Sequence, residues 1–491
     1  MLSGRRLIEM NQEHVDVIIV GAGISGIGAA YHLQQMSPSK SFLILEGREN
    51  LGGTWDLFKY PGVRSDSDMH TLGYSFKPWT GRKAIADGQS ILNYLTETAQ
   101  ENGIDKKIRY GKNVKGASWC SGDERWSLDV ETVKDKDRSQ FTCSFLFMCS
   151  GYYDYSDGYR PQFTGLDTFS GQLVHPQNWP EDLDCSGKRV VVIGSGATAV
   201  TLIPELAKSA SHITMLQRSP TYVVSQPEED DMANSMHSHL PAALAHSLTR
   251  WKNILYGILM FLYVKRYPQK TKESIIDSVR KELPDFDVDK HFTPRYMPWD
   301  QRVCVVPNGD LFSCIRAKKA VVVTDQIDEF VAEGIKLKSG EILGADIVVT
   351  ATGLNMQFLS DITLSVDGVN VAANELMTYK GLMFSGVPNL ALASGYVAAS
   401  WTLKCDLTST YVCRILNYMD KKGYRQCRPE RKEGSVDEDL SMSFTSGYVQ
   451  RAIHKFPRQG LKFPWRLYEN YVMDRLVLKY SRLKDDVMKF S

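Results

Sequence analysis

The chain has 491 residues, 43% hydrophobic and 23% charged, with a net charge of +1 at neutral pH. That length exceeds one compact core and predicts two or three domains of a globular protein, while the near-neutral balance leaves no electrostatic footprint for nucleic acid. The cysteines at 120, 143, 149, 185, 304, 314, 405, 413 and 427 are odd in number and scattered without a C-x-x-C pair, which argues against a disulfide framework and a thiol relay.

The opening segment MLSGRRLIEMNQEHVDVIIV carries no export signal: its apolar run is interrupted by Asp16 and leads straight into a glycine turn, so a cytoplasmic location is expected. The β-branched run 15–20 predicts a strand, Gly21-Ala22-Gly23-Ile24-Ser25-Gly26 a turn, 27–36 a helix, and 41–45 a second strand ending at Glu46. A lone G-x-G-x-x-G is weak evidence, but here it follows a strand, opens a helix and is answered by an acid 20 residues on. Gly21 permits the tight turn, Gly23 lets backbone N–H groups approach a pyrophosphate, and Gly26 lets helix and strand pack closely. Glu46 suits ribose hydroxyls without a 2′-phosphate, which fits FAD.

The pattern repeats with a strand at 188–193, the turn Gly194-Ser195-Gly196-Ala197-Thr198-Ala199 and a strand at 212–216. Where the first unit has Glu46, this one has Gln217-Arg218-Ser219. An acid repels a 2′-phosphate and an arginine pairs with it, so NADPH is expected here rather than NADH; the alternative is a surface arginine at a strand end. The strand-to-glycine segments 145–151 and 346–353 resemble each other and mark where the chain crosses between domains. The expected organisation is an α/β flavoprotein with two dinucleotide-binding domains. Residues 1–154 and 346–491, the latter with a C-terminal extension, form the FAD domain, and 155–345 form an inserted NADPH domain with a helical excursion at about 228–300.

The longest apolar run, 254–264, is flanked by Arg250, Lys252, Lys265 and Arg266. It falls short of the ~20 residues that span a bilayer, so it reads as a buried helix of the insertion, with peripheral membrane contact or a wall of the substrate tunnel as alternatives. Residues 449–491 carry ten Lys or Arg against four Asp or Glu, which suits an anionic surface and a solvated helix face equally.

Between the two turns, residues 169–180 read FSGQLVHPQNWP and match F-x-G-x-x-x-H-x-x-x-W-P through Phe169, Gly171, His175 and Trp179. This run resembles the fingerprint of the type I Baeyer–Villiger flavin monooxygenases; the related N- and S-oxygenating enzymes end it with an aromatic residue and Lys. The resemblance implies that the segment lies at the domain junction and couples the domains, giving His175 a conformational role. Segments 52–57, 60–68, 194–200, 215–222 and 298–302 are similar to the subgroup of ethionamide-activating and long-chain alkane monooxygenases. The cofactor-binding set implied by turns and resemblance comprises Gly21, Gly23, Ser25, Gly26, Glu46, Gly53, Thr54, Trp55, Asp56, Leu57, Arg64, Ser65, Asp66, Val114, Gly194, Ser195, Gly196, Ala197, Thr198, Ala199, Gln217 and Arg218.

By the same resemblance Arg302 corresponds to the active-site arginine and Asp66 to the acid that hydrogen-bonds it. A permanently charged guanidinium stabilises an anionic C4a-peroxyflavin, and water exclusion strengthens that contact. A structural ion pair is the alternative for both residues. Gln301 departs from the family pattern, which often places Lys there to grip the NADPH phosphate, and this leaves Arg218 to carry most of the NADPH preference. The implied activity is NADPH- and O2-dependent conversion of ketones to esters or lactones, with S-oxygenation of thioethers or thioamides beside it. Long-chain alkane hydroxylation or N/S-oxygenation remain open within the class. A flavin disulfide reductase or a redox-sensing binding protein are the readings outside it, and the lack of paired cysteines after Gly53 argues against the reductase. No metal is expected. Small-molecule substrate and O2 are the expected partners, with the protein cytoplasmic or loosely membrane-associated.

Overall fold

The N-terminal β-branched run becomes Glu13–Val20, an interior strand of a nine-stranded sheet. The computed structural model describes residues 13–431, 438–440 and 445–491. The opening residues 1–12, part of the segment read above for an export signal, lie outside them. Glu13–Val20 pairs in parallel with Phe42–Leu45 on one side and Arg138–Met148 on the other, so Val20 stands opposite Leu45 and Met148. The first half of Arg138–Met148 also pairs antiparallel with Arg125–Thr132, and its last residues pair in parallel with Leu390–Leu392. The chain therefore returns, after a long excursion, to complete its first sheet.

Both faces of the parallel part of this sheet are covered, which explains why 17–20 and Phe42–Leu45 read as apolar runs. Val17 and Ile19 pack into one core with the helices Ile24–Met36 and Trp401–Lys422, while Val15, Ile18 and Val20 pack into another with Trp119, Trp126 and Leu128. Each such side chain, fully buried, contributes about 1.5–3 kcal/mol. The second sheet repeats the logic: Val190 and Val192 of Arg189–Ile193 face one core, Val191 and Ile193 the other.

That second sheet is wholly parallel, in the order Ala320–Thr324, His212–Gln217, Arg189–Ile193, Ile347–Thr350, Gln172–Val174. Its membership corrects the expected domain limit at 345/346. Ile347–Thr350 pairs with Arg189–Ile193 and Gln172–Val174, so the return crossing falls after residue 350. The two crossings form one ribbon, Tyr153–Gly158 antiparallel to Leu354–Met356.

The excursion at 228–300 is helical, with Asp231–His239, Ala242–Arg266, Pro268–Glu282 and Val288–Phe292. Arg250, buried on the long helix, fastens it to the first domain by donating from Nη1 to the carbonyls of His70, Thr71 and Gly73 at 3.0, 3.2 and 2.7 Å. These carbonyls lie at the C-terminal end of the short helix Met69–Leu72, where a cation is favoured. The buried-helix reading of 254–264 is corrected. Ile254 and Val264 are buried, but Leu255, Tyr256, Leu259, Met260, Leu262 and Tyr263 are exposed. An apolar run reveals only that its residues avoid charge, and nothing in the sequence fixes what covers them. No described helix is long and apolar enough to cross a membrane.

Candidate active site

The two glycine turns occupy equivalent places in their sheets. Gly21 has φ +104° and Gly194 φ +136°, and a Cβ at either would strike the carbonyl oxygen ending a neighbouring strand, Cys149 O at 2.6 Å and Ala351 O at 2.3 Å. Each turn opens a helix, Ile24–Met36 or Ala197–Leu206, whose N-terminus has neither a side-chain cap nor an acid in its first turn. Uncapped N–H groups at the positive end of a helix are a ready-made place for a phosphate. The Gly53 backbone closes over the first turn, since a Cβ there would lie 3.0 Å from Gly23 Cα. This bare cradle fits a dinucleotide pyrophosphate.

A cavity of about 1520 Å3 joins the turns, beyond the ~300–1,000 Å3 of an ordinary small-molecule pocket. Its wall includes Gly21, Gly23, Ser25, Glu46, Gly53, Thr54, Trp55 and Val114 from the first domain, Arg64, Ser65 and Asp66 from the following loop, and Gly194 to Thr198, Arg218 and Arg302 from the insertion. Five expected residues are off the wall. Gly26 is a packing residue whose Cβ would lie 1.9 Å from Gly21 O. Ala199 is buried in the insertion's core. The Asp56 carboxylate accepts from Arg48 Nη2 at 2.6 Å, and Leu57 ends the short helix Thr54–Leu57. Gln217 turns inward, its amide donating to His291 O at 2.7 Å and Thr324 Oγ1 at 2.8 Å, so it orders the sheet edge.

Glu46 is buried at the strand end, accepting from Ala22 N at 2.7 Å and Arg48 N at 2.9 Å, and burial pushes its carboxyl above the usual range. Each oxygen keeps acceptor capacity for a ribose hydroxyl. Arg218, exposed on the wall, has no carboxylate partner among the described residues.

Arg302 and Asp66 meet across the domains, with Nη1 donating to Oδ2 at 3.0 Å. The arginine Nε donates to Tyr448 Oη at 3.4 Å. Burial among tyrosines would lower the guanidinium pKa, but the surrounding Tyr152, Asp66, Tyr448 and Tyr153 outweigh it and hold it well above its ordinary value. The Tyr153 and Tyr448 phenols are themselves pushed up by burial, so both stay neutral beside the guanidinium. About a third of the Arg302 side chain remains accessible, open to the cavity. Arg64, expected at a cofactor, also lines the cavity but spends its guanidinium on Asp310 at 2.6 Å, a second ion pair between the domains.

The fingerprint residues lie on the insertion side of the crossing ribbon. Phe169 packs edge-on to Phe330 with centroids 5.8 Å apart, and Gly171 is held against Asp346 O, where a Cβ would come within 2.6 Å. Trp179 packs on the core around Val190 and Ala199. His175 is buried, its Nδ1 accepting from Gln177 N at 3.2 Å, and burial lowers its pKa. Gln177 in turn donates to Asp154 O in the ribbon at 2.9 Å. Sequence reasoning missed Gln177, Gly158, Asp310 and Tyr448. Gln177 sits inside the fingerprint at an unfixed position, which was the one available signal; the others are defined only by partners distant in the chain.

Comparison with known proteins agrees with this geometry. Residues 82–417 match the flavin-binding monooxygenase-like family, and residues 19–80 an NAD(P)-binding Rossmann-like domain. The FAD-containing monooxygenase EthA of Mycolicibacterium smegmatis is 54% identical over 481 residues, 98% of this chain and 97% of that one. The probable FAD-binding monooxygenase AlmA of Acinetobacter baylyi is 47% identical over 483 residues, 98% and 96% of the two chains. Among solved structures, an oxidised steroid monooxygenase bound to NADP superposes with a TM-score of 0.78 at 22% identity, covering 97% of this chain and 99% of that one, which shows a shared fold. With two dinucleotide turns on one cavity and this family match, the chain belongs to the flavin-binding monooxygenase-like family and is an oxidoreductase.

Proposed function

We propose that this monooxygenase holds FAD at the Gly21 turn and NADPH at the Gly194 turn and inserts one oxygen atom beside the carbonyl of a ketone. In balance, ketone, O2, NADPH and a proton give ester or lactone, NADP+ and water. When bound and reduced, the flavin supplies the activation of O2. The observation that carries the reading is the Arg302–Asp66 pair on the cavity wall shared by both turns. Arg302 supplies a fixed positive charge where negative charge develops on oxygen, and Asp66 holds its orientation. Enclosure by Tyr152, Tyr153 and Tyr448 limits water around the guanidinium, which strengthens its field. Arg218 reads the 2′-phosphate, since the strand His212–Gln217 ends without an acid.

Thioether or thioamide sulfur is a second acceptor at the same site, because oxygen transfer to sulfur needs no carbonyl. The reaction is expected to run in the cytoplasm, where NADPH is supplied. Purified enzyme given linear ketones, cyclic ketones and thioethers should consume NADPH with product masses raised by one oxygen. NADPH oxidation that yields only hydrogen peroxide across the panel would overturn the assignment.

A further inference from the structure

The face of Ala242–Arg266 turned away from the first domain is apolar and uncovered. Leu255 is 47% exposed, Tyr256 65%, Leu259 65% and Leu262 55%, with Leu244 and Leu248 continuing the same helical stripe. Surface helices normally put charge on their solvent side. This one spends its apolar residues there and buries a charge instead, since Arg250 points into the carbonyl cup of the first domain. The helix Tyr471–Tyr480 lies alongside, joined where Tyr471 and Arg475 meet Trp251, and it exposes Met473, Leu476 and Tyr480.

Along Ala242–Arg266 the charge is of one sign. From 242 to 272 there are six basic residues and no acid. Arg250, Lys252, Lys265 and Lys272 have partners within the protein, while Arg266 and Lys270 flank the half-exposed ring of Tyr267 at the end of the stripe, at 5.4 and 5.5 Å from its centroid. Arg475 and Lys479 add basic charge from the neighbouring helix, whose one acid, Asp474, is buried against Lys404 at 2.7 Å.

We propose that this two-helix surface docks in the plane of an anionic phospholipid bilayer, with the leucine stripe in the acyl boundary and Arg266, Lys270, Arg475 and Lys479 at the headgroups. An amphipathic helix with apolar and basic faces and no acid binds such an interface by apolar burial plus attraction to anionic lipid. A second copy of the chain fits less well, because a two-fold contact brings a surface against itself and sets the basic rim on its own image. Docking here brings the cavity close to lipid. Phe261 packs edge-on to Trp299 at 6.2 Å, Ile254 packs on Tyr396, and both Trp299 and Tyr396 line the cavity.

Full-length, FAD-loaded protein should sediment with vesicles of phosphatidylcholine mixed with phosphatidylglycerol, and less with phosphatidylcholine alone or at high salt. The variant carrying Leu255→Gln, Leu259→Gln and Leu262→Gln should keep its melting temperature and its turnover of a water-soluble ketone but lose vesicle binding. Arg266→Gln and Lys270→Gln should each weaken binding about fivefold. The proposal is overturned if wild-type protein ignores the mixed vesicles or if the triple variant binds them equally well. A wild-type dimer that ignores vesicles and becomes monomeric in the triple variant would overturn it too, and assign the face to a second copy.

Discussion

The imidazole of His175 fills the space that any side chain at Gly158 would need: a Cβ on Gly158 would lie 1.9 Å from His175 Cε1. The fingerprint histidine is thus seated directly on the ribbon that carries the chain between the domains. Gly158→Ala should displace the ring and cost about 1–3 kcal/mol, as overpacking does. The melting temperature should fall, and NADPH oxidation should slow more than FAD binding weakens. Combining it with His175→Ala should recover stability but not turnover, because the space is restored and the coupling ring is gone. Full activity in Gly158→Ala would separate His175 from domain coupling.

Arg218→Ala should raise KM for NADPH while leaving KM for NADH nearly unchanged. A charge-assisted contact of about 1.5–3 kcal/mol corresponds to roughly ten- to hundredfold. Steady-state kinetics with both cofactors reads the difference directly, and equal effects would mean that Arg218 does not meet the 2′-phosphate.

Arg302→Ala should retain FAD and fall about 10²–10³-fold in oxygenation, the usual cost of removing one electrostatic stabiliser. Asp66→Asn should retain part of the activity, since the amide oxygen can still accept from Nη1. Mixing reduced enzyme with O2 and following flavin absorbance should show faster unproductive reoxidation in Arg302→Ala, with NADPH consumed and no ester formed. Ester formation at the wild-type rate would make the pair structural.

Acid should loosen the helical excursion. His246 is buried on Ala242–Arg266, and burial, with Arg250 nearby, lowers its pKa from an ordinary value of about 6.5 to about 4. His70, stacked 5.7 Å from His237, is lowered by burial as well. A folded pKa below the unfolded one means that the unfolded chain binds more protons. Stability is therefore full above about 6.5 and is lost as pH falls toward 4. Between pH 7 and 5, His246 alone should cost about 1–2 kcal/mol. His246→Phe should flatten the melting temperature over that interval, and an unchanged slope would locate the acid sensitivity elsewhere.

Local rules exposed much of the site in the sequence. The two turns, Glu46 and the 169–180 fingerprint were readable because strand, glycine spacing and helix start are consecutive along the chain. Gln217 was misread because a position after a strand indicates where a ribose belongs, not which way a side chain turns; its amide was claimed by His291 and Thr324. Asp56 was lost to Arg48 in the same way. The leucines at 255–262 were misjudged for the opposite reason, since hydrophobicity predicts burial only when a partner surface exists. Asp310, Tyr448 and Gly158 had no local signature at all, because each matters through a residue far away in sequence.

The late return of Leu390–Leu392 to the first sheet carries a consequence for how the chain is made. Met148 acquires Leu392 as its strand neighbour only after the entire insertion has been synthesised. The inserted sheet, by contrast, draws all its strands from between Gln172 and Thr350. Domains fold largely as units as they emerge during synthesis, and contacts distant in sequence form late. The domain that comes second in the chain is therefore complete first, and the Gly21 cradle waits open for its last strand. Ribosome-bound chains arrested shortly after the ribbon has emerged should show a protease-resistant core within 160–350 while residues 13–148 are still cleaved. FAD added to those chains should protect nothing until Leu390–Leu392 has left the tunnel.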